Sequence, residues 1–369
     1  MVISGGGTAG HIYPALAVAH ALRESDRQEL PVELYYLHGP SRRDHEVMAH
    51  AGIEHRQIDV GPIVGTSPPR LVLNLLRLLR ATAQAAGAVR RFRADAILAT
   101  GGYVSAPTIL AGWLSRVPVV LYLPDASPGV AVRVFAPLAT RIALSFPVTK
   151  QYFKGSKAIV TGYPVRREFL EADRERARAA YNLRADLPVV MVMGGSQGAQ
   201  SLNLAVSDAL EPLLHHAQLI HLCGESDEQV LREQRARLEP ELRQRYHLFR
   251  YLHRGVADAM AASDLMVCRA GASTLAELPI LGLPSILVPG TFAGGHQEKN
   301  ADFLVDEGAA IKLPDFQLSQ GALLAAVLSL LEDRDRLNEM AAEARRLARP
   351  EAAHNIAELV RSMARRKRR

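Results

Sequence analysis

The sequence predicts an α/β protein made of two doubly wound domains, each built around a parallel β-sheet. Three observations support this prediction: apolar segments of strand length alternate with amphipathic helical segments, a glycine-rich turn follows the first strand, and the same pattern restarts near residue 187. Near-continuous apolar runs are typical of strands that are buried on both faces of a parallel sheet. The helices between them then complete βαβ units.

Eight apolar segments are predicted as strands. They are VELYYL (32–37), AILAT (96–100), VPVVLYL (117–123), RIALSF (141–146), LPVVMVMG (187–194), QLIHLC (218–223), DLMVC (264–268) and PSILVPG (284–290). The lead-in MVIS is short for a further strand, so we expect that strand to be clipped or to begin upstream.

Chain length and the repeated pattern predict the domain boundaries. We place one domain at 1–162, a second domain at 163–349, and a final helix with a basic tail at 350–369, which we expect to return to the first domain. Ligands of doubly wound sheets bind beyond the carboxyl ends of the strands, so we expect the ligand in a cleft between the domains.

Composition narrows the class of protein. Hydrophobic residues make up 48% and charged residues 22%, which is typical of a globular chain. A net charge of +6 favours an anionic partner such as a nucleotide, a nucleic acid or an anionic membrane. Two cysteines exclude a disulfide framework and indicate a reducing compartment. No apolar run reaches the ~20 residues of a membrane span, so any membrane contact is expected to be peripheral.

The first glycine turn has the Gly5-x-Gly7-x-x-Gly10 spacing of a dinucleotide site. A nicotinamide dehydrogenase also needs a carboxylate at the end of the second strand, but Glu33 lies near its start, which disfavours that class. The turn still lets the backbone and a helix N-terminus approach an anion. His11, at the start of that helix, is either a capping or packing residue or a proton acceptor at the cleft.

Three segments of the second half suit a nucleotide sugar. In GGSQGAQ (194–200), Ser196 and nearby amides suit a pyrophosphate, or Ser196 caps a tight turn. In CRAGASTLAE (268–277), Glu277 suits two ribose hydroxyls, or it forms a capping box with Thr274. In GGHQEKNA (294–301), imidazole and amide groups suit sugar hydroxyls, or they form a solvated helix start. The segment 251–253 suits a backbone clamp on a base.

Six ordered motifs together resemble the peptidoglycan glycosyltransferases of the MurG family, in glycosyltransferase family 28. The motifs are GGGTAGHIYPALAVA (5–19), GGYVSAP (101–107), TGYPVR (161–166), GGSQGA (194–199), CRAGASTLAE (268–277) and HQEKNA (296–301). The resemblance implies a GT-B fold, two Rossmann-like domains facing across a cleft, with no metal or other cofactor. It also implies inverting transfer of N-acetylglucosamine from UDP-GlcNAc to the muramyl 4-hydroxyl of lipid I, giving lipid II.

The same resemblance assigns site residues. The implied contacts are Thr8, Ala9 and Gly10 at the donor sugar and phosphates; Arg166 and Ser196 at the nucleotide; the Leu252 backbone at uracil; Ala272, Ser273, Thr274, Leu275 and Ala276 around the phosphates; Glu277 at the ribose; and Gln297 and Asn300 at the sugar.

One segment departs from the family pattern. Tyr122, Leu123, Pro124 and Asp125 stand where the family has His-Glu-Gln-Asn. An ionised aspartate cannot donate a hydrogen bond, so Asp125 either accepts from sugar hydroxyls or acts as an alternative base to His11. The departure keeps two rivals open: a related lipid glycosyltransferase with another sugar or acceptor, and an inert sugar-nucleotide-binding paralogue.

The remaining expectations concern partners. The amphipathic segment 68–93 and the basic run 365–369 suit the anionic inner-membrane surface, although a core-packed helix and a solvated tail are the alternatives. No aromatic stacking platform accompanies the charge, so no nucleic acid is expected. Asp333-x-Asp335 is expected at the surface, and no Cys/His cluster has metal spacing. The family implies the cytoplasmic face of the cell membrane and contacts with other cell-wall synthesis proteins.

Overall fold

The computed structural model describes residues 1–6, 9–24, 32–61, 66–195, 198–252, 255–290, 295–318 and 321–368. It divides into two compact units. The first contains Met1–Arg166 and Arg349–Arg369, and the second contains Arg167–Ala348.

The first unit is built on a parallel sheet of seven strands. The strands are β1 (Val2–Ser4), β2 (Tyr35–His38), β3 (Glu54–Gln57), β4 (Ile97–Ala99), β5 (Val119–Leu123), β6 (Arg141–Leu144) and β7 (Ala158–Val160). Their order across the sheet is β3-β2-β1-β4-β5-β6-β7, and every pair is parallel. The order reverses at β1, so the glycine turn after β1 lies at the topological switch point, where such sheets bind ligands.

Helices cover this sheet. They are α1 (Ala9–Glu24), α2 (Arg42–His50), α3 (Pro68–Arg91), α4 (Ser105–Leu114) and α5 (Val130–Phe135), with 3₁₀ turns at Ala136–Leu138 and Pro147–Tyr152. α3 begins with two prolines directly after Ser67, positions where proline's missing N–H costs nothing. All five residues of β5 are buried, as expected for a strand covered on both faces.

The second unit is built on a parallel sheet of six strands. They are β8 (Val189–Met193), β9 (Gln218–Leu222), β10 (Tyr246–Phe249), β11 (Leu265–Cys268), β12 (Ser285–Leu287) and β13 (Ala310–Lys312). Their order is β10-β9-β8-β11-β12-β13, again with the reversal at the strand that precedes a glycine turn.

Ten helices of the described residues belong to this unit. They are α6 (Arg167–Leu170), α7 (Arg174–Ala180), α8 (Gln200–His216), α9 (Glu228–Arg237), α10 (Pro240–Gln244), α11 (Val256–Ala261), α12 (Thr274–Leu281), α13 (His296–Asp306), α14 (Ala322–Glu332) and α15 (Arg334–Leu347), with a 3₁₀ turn at Asp315–Gln317. Asp333 of the D-x-D motif caps α15 by accepting from the Arg336 amide at 3.0 Å, which is a structural role.

The C-terminal helix, α16 (Ala352–Arg368), belongs to the first unit and packs on α1. The buried guanidinium of Arg361 donates to the carbonyl of Leu22 at 2.6 Å. The amide of Asn355 donates to the carbonyl of Thr161 at 3.3 Å. The return of the chain to the first unit is thus fixed by polar contacts as well as by packing.

All eight segments predicted as strands contain strands, most of them trimmed by up to three residues at an end, while β2 continues one residue beyond its predicted segment to His38. Sequence reasoning missed β3, β7, β10 and β13, which are the four edge strands of the two sheets. An edge strand has a neighbour on one side only and is less fully buried, so it lacks a continuous apolar run. The burial of β3, with no fully buried residue among its four, shows this directly.

Candidate functional site

The first glycine turn packs against a buried carboxylate. Gly6 has φ +119°, and a Cβ there would lie 1.8 Å from Oδ2 of Asp44, so only glycine fits. Asp44 is 1% exposed and lies in the first turn of α2. Thr8 lies outside the described residues, and Ala9 and Gly10 form the first residues of α1. The turn therefore brings α1 and α2 together at the carboxyl end of β1.

His11 is held by the loop after β4. Its Nδ1 lies 2.8 Å from the carbonyl oxygen of Thr100. Because a carbonyl only accepts, Nδ1 carries the proton and Nε2 of the neutral ring keeps its lone pair. Gly101 has φ +103°, and a Cβ there would lie 2.9 Å from Cε1 of His11, so the loop closes tightly on the ring. The imidazole is therefore fixed in orientation with Nε2 as its basic atom.

Burial keeps His11 neutral. Burial lowers its pKa from the usual value, while the carboxylate of Asp125, the carbonyl of Thr100 and the carboxylate of Asp44 oppose that shift. The lowered pKa makes the unprotonated ring the main form at pH 7. A neutral imidazole with a free Nε2 can accept a proton.

The segment 122–125, which departs from the family pattern, contains both core residues and a site residue. Tyr122 and Leu123 are the last residues of β5 and are buried, with the Tyr122 hydroxyl 2.7 Å from Oγ of Ser145. Asp125 is half-buried, and its charge acts on His11. The tyrosine and leucine therefore fill the core, and the aspartate alone brings chemistry to the site. The structure thus brings the two catalytic candidates, His11 and Asp125, together.

Arg166, the last residue of the first segment of the first unit, stacks on α1. Its guanidinium carbon lies 5.2 Å from the ring centroid of Tyr13, two residues beyond His11. This cation–π geometry holds a positive charge near the start of α1.

The segment 268–277 joins β11 to α12. Ser273 is the N-cap of α12 and makes no side-chain cap hydrogen bond, while Thr274 is already the first helical residue. The capping box considered for Thr274 and Glu277 is therefore not formed. Across the described ranges, the backbone amides of Ala272, Ser273 and Thr274 donate to no acceptor. Three such amides at a helix N-terminus suit a phosphate.

Glu277 lies behind these amides. It is 6% exposed, and burial together with its carboxylate raises the pKa of Cys268, which places the carboxylate near the end of β11. Leu275 is buried in the core and Ala276 is half-buried. A buried carboxylate beside a phosphate-type helix start is suited to hydroxyl groups rather than to another anion.

Two of the remaining candidates, Gln297 and Asn300, lie on α13 of the second unit. Oε1 of Gln297 accepts from the Gly290 amide at 2.7 Å, which leaves its NH₂ group as a donor. The buried amide of Asn300 donates to the Ala270 carbonyl at 3.1 Å and ties α13 to the 268–277 segment. Leu252 is half-buried directly after β10, and Ser196 lies outside the described residues.

Sequence reasoning missed Arg269. Its guanidinium binds Asp315, donates to Oγ of Ser201 at 2.8 Å and donates to the carbonyl of Val288 at 3.2 Å. Its side chain is 11% exposed. It therefore links β11, β12 and the start of α8, and so positions the turns on which the candidates lie. A lone arginine after a strand carries no sequence signal for this role.

Two parallel α/β units, each with a strand order that reverses at a strand followed by a glycine turn, form the fold of the GT-B class of glycosyltransferases. Models for the two domains of one family match most of the chain: the glycosyltransferase family 28 N-terminal domain at residues 1–144 and its C-terminal domain at 189–356. The chain belongs to glycosyltransferase family 28.

Similar proteins agree with this assignment. Proteins of Roseiflexus sp. (strain RS-1) and Moorella thermoacetica, each 37% identical, are named UDP-N-acetylglucosamine--N-acetylmuramyl-(pentapeptide) pyrophosphoryl-undecaprenol N-acetylglucosamine transferase. The alignment with the Roseiflexus protein covers 97% of this chain and 94% of that protein. The alignment with the Moorella protein covers 98% of both chains. The crystal structure of Acinetobacter baumannii MurG is 27% identical, with a TM-score of 0.78 over 98% of this chain and 99% of that one.

Proposed function

We propose that this enzyme transfers N-acetylglucosamine from UDP-GlcNAc to the muramyl 4-hydroxyl of lipid I, forming lipid II for the bacterial cell wall. The observation that carries the proposal is His11: a neutral imidazole, oriented by the Thr100 carbonyl, with a basic Nε2. The names of its relatives, which are N-acetylglucosamine transferases, support the choice of substrates.

His11 acts as the general base. Nε2 takes the proton of the acceptor hydroxyl as its oxygen attacks the anomeric carbon, and UDP leaves from the opposite face with inversion. The carboxylate of Asp125 stabilises the imidazolium that forms, since the Asp125 charge already favours protonation of this ring. Asp125 as the base itself is the alternative, and the pH dependence of the Asp125→Asn variant distinguishes the two.

The second unit binds the donor. The amides of Ala272, Ser273 and Thr274 receive the diphosphate and stabilise the leaving group. Glu277 accepts from the ribose hydroxyls, and the NH₂ group of Gln297 donates to the sugar. The other contacts to the donor come from both units. In this proposal they are made by Arg166, Ser196, Asn300, the Leu252 backbone, Leu275 and Ala276, and, at the sugar and phosphates, by Thr8, Ala9 and Gly10.

The apolar face of α3 docks on the membrane that carries the lipid acceptor. Its exposed apolar side chains are Val72 at 60%, Leu73 at 47%, Leu75 at 44%, Leu76 at 59% and Leu79 at 68%. The core-packing alternative holds for Leu78, which is 9% exposed, but not for these five. Arg70, Arg80, Arg90 and Arg91 on the same helix are exposed and suit anionic headgroups.

These features support a peripheral position at the cytoplasmic face of the cell membrane. The helices described here include none with the length and apolar character to cross a bilayer. Residues 365–368 of the basic run form the end of α16, and the side chains of 365–369 lie outside the described part of the chain. Contacts with other cell-wall synthesis proteins belong to the same proposal.

One assay separates the proposal from its rivals. Purified enzyme is incubated with UDP-GlcNAc and lipid I, and the lipid product is identified by mass. We expect the mass of lipid II and release of UDP. Turnover of lipid I only with another UDP-sugar would indicate a related lipid glycosyltransferase. UDP-GlcNAc binding without turnover of any acceptor would indicate the inert paralogue.

A further inference from the structure

Three histidines outside the candidate site meet at the edge of the first sheet. His38 ends β2, His45 lies on α2 and His55 lies in β3, and one ligand nitrogen from each lies within 4.8 Å of the others. We propose that this cluster binds one divalent transition-metal ion of the zinc class and thereby fastens α2 to the sheet edge. The three lie seven and ten positions apart, a spacing that gave no signal in the sequence.

His38 supplies the strongest observation. The residue is 1% exposed, and its Nδ1 donates to the Gly39 carbonyl at 2.7 Å. Its Nε2 is buried and has no hydrogen-bond partner in the described part of the chain. A buried nitrogen lone pair without a partner is unfavourable, and coordination of a cation would satisfy it. Since Nδ1 is engaged by Gly39, Nε2 is the atom that His38 offers to an ion.

His55 repeats this arrangement. Its Nδ1 lies 2.9 Å from the Ile53 carbonyl and therefore carries the proton, which leaves the lone pair on Nε2. Histidines that bind metals usually donate their other N–H to a carbonyl or carboxylate, which fixes the ring and the tautomer. Two of the three rings are therefore already in the tautomer and orientation that a metal ion needs.

His45 closes the cluster from the solvent side. Its Nδ1 lies 2.9 Å from Nε2 of His55 and donates to it, because the His55 nitrogen has no proton. Binding of an ion would move that proton to Nε2 of His45, so the ring stays neutral while Nδ1 becomes a ligand. His45 is exposed, so its side chain can adjust and an ion can enter from solvent.

The donor set selects the class of ion. Imidazole nitrogens favour Zn²⁺, Ni²⁺ and Cu²⁺, whereas Mg²⁺ and Ca²⁺ prefer oxygen. Ligand nitrogens of a tetrahedral zinc site are about 3.3 Å apart, given Zn–N distances near 2.0 Å. The His45 and His55 nitrogens need to separate slightly from 2.9 Å, and the widest pair needs to close from at most 4.8 Å. Rotation of the exposed His45 ring changes its distances to His38 and His55, and water takes the fourth position.

The test is metal binding by the full chain without a polyhistidine tag. After treatment with a chelator, the protein is titrated with Zn²⁺ against a chromophoric competitor. We expect one tight site per chain in the wild type and in the control His50→Ala, an exposed histidine on the same helix. His45→Ala and His55→Ala should weaken binding more than about tenfold. Zn²⁺ should also raise the Tm of the wild type and of His50→Ala, but not of His45→Ala.

His45→Ala is the decisive variant because an exposed position tolerates the change, whereas His38→Ala alters a buried side chain. Equal Zn²⁺ affinity in the wild type and in His45→Ala would overturn the proposal. Weak binding of several Zn²⁺ ions per chain by the wild type, as by His45→Ala, would overturn it as well. These readouts need no transfer activity, so they are independent of the proposed function.

Discussion

The turn after β1 and the turn after β11 are built alike but surrounded differently. Both join a buried parallel strand to a helix beside the point where the strand order reverses. The first is surrounded by titratable groups, namely His11, Asp44 and Asp125. The second presents the amides of 272–274, which have no acceptor among the described residues, and the buried carboxylate of Glu277. The same strand–turn–helix arrangement therefore suits proton transfer in the first unit, where neighbouring segments supply titratable groups, and anion binding in the second.

Replacing the proposed base should have the largest effect. His11→Gln keeps a polar side chain of similar size but removes the basic nitrogen, so kcat should fall about 10²- to 10⁴-fold. The Kd for UDP should stay within about twofold, measured by calorimetry, since UDP lacks the acceptor. His20→Gln, an exposed histidine on the same helix, is the control and should leave both values unchanged. A parallel fall in UDP affinity and kcat would assign His11 to the donor instead.

Replacing Glu277 should weaken UDP binding, in contrast to replacing His11. Glu277→Gln keeps the shape but loses a charged acceptor, and hydrogen bonds to a charged group contribute about 1.5–3 kcal/mol. The Kd for UDP should therefore rise about 10- to 100-fold. Glu298→Gln, which is exposed on α13, serves as the control. An unchanged Kd in Glu277→Gln would show that the carboxylate does not touch the ribose.

Among the described residues of the second unit, no helix has an apolar face like that of α3, and Val230 is an isolated exposed valine on α9 at 65%. Leu76→Ser with Leu79→Ser should lower the partition coefficient onto anionic liposomes, measured by sedimentation, more than about tenfold, because each leucine buried at the interface contributes about 1.5–3 kcal/mol. Turnover of a water-soluble acceptor should not change. Val230→Ser should sediment like the wild type. Full liposome binding by the double variant would remove α3 from the membrane interface.

The smallest effect concerns Asp125 and pH. A general base works unprotonated, so kcat/KM falls as pH drops through the pKa of His11, which burial holds below its usual value. Asp125 raises that pKa, so Asp125→Asn should lower it and move the acid limb of the profile to lower pH. Asp59→Asn, a surface change in the same unit, should leave the limb in place. Loss of turnover at every pH in Asp125→Asn would make Asp125 the base.

The sequence predicted the interior of both sheets and little of their edges. Strands such as β5 and β8 are apolar throughout because both faces are covered, whereas β3, EHRQ, is polar and was missed. The candidate site shows the same division. His11 follows a glycine turn and is visible in the sequence, but Thr100 and Asp44, which orient and surround it, come from other βα units. Contacts between distant segments depend on strand order, which local patterns do not specify.

Hydrogen exchange of the backbone amides with and without UDP tests the division between the two turns most directly. The amides of 272–274 have no acceptor within the described residues, so a bound diphosphate should slow their exchange. The amides of 100–102, in the loop that closes on His11 of the first unit, should exchange at the same rate with and without UDP. Unchanged exchange at 272–274, with slowing at 100–102, would contradict the account.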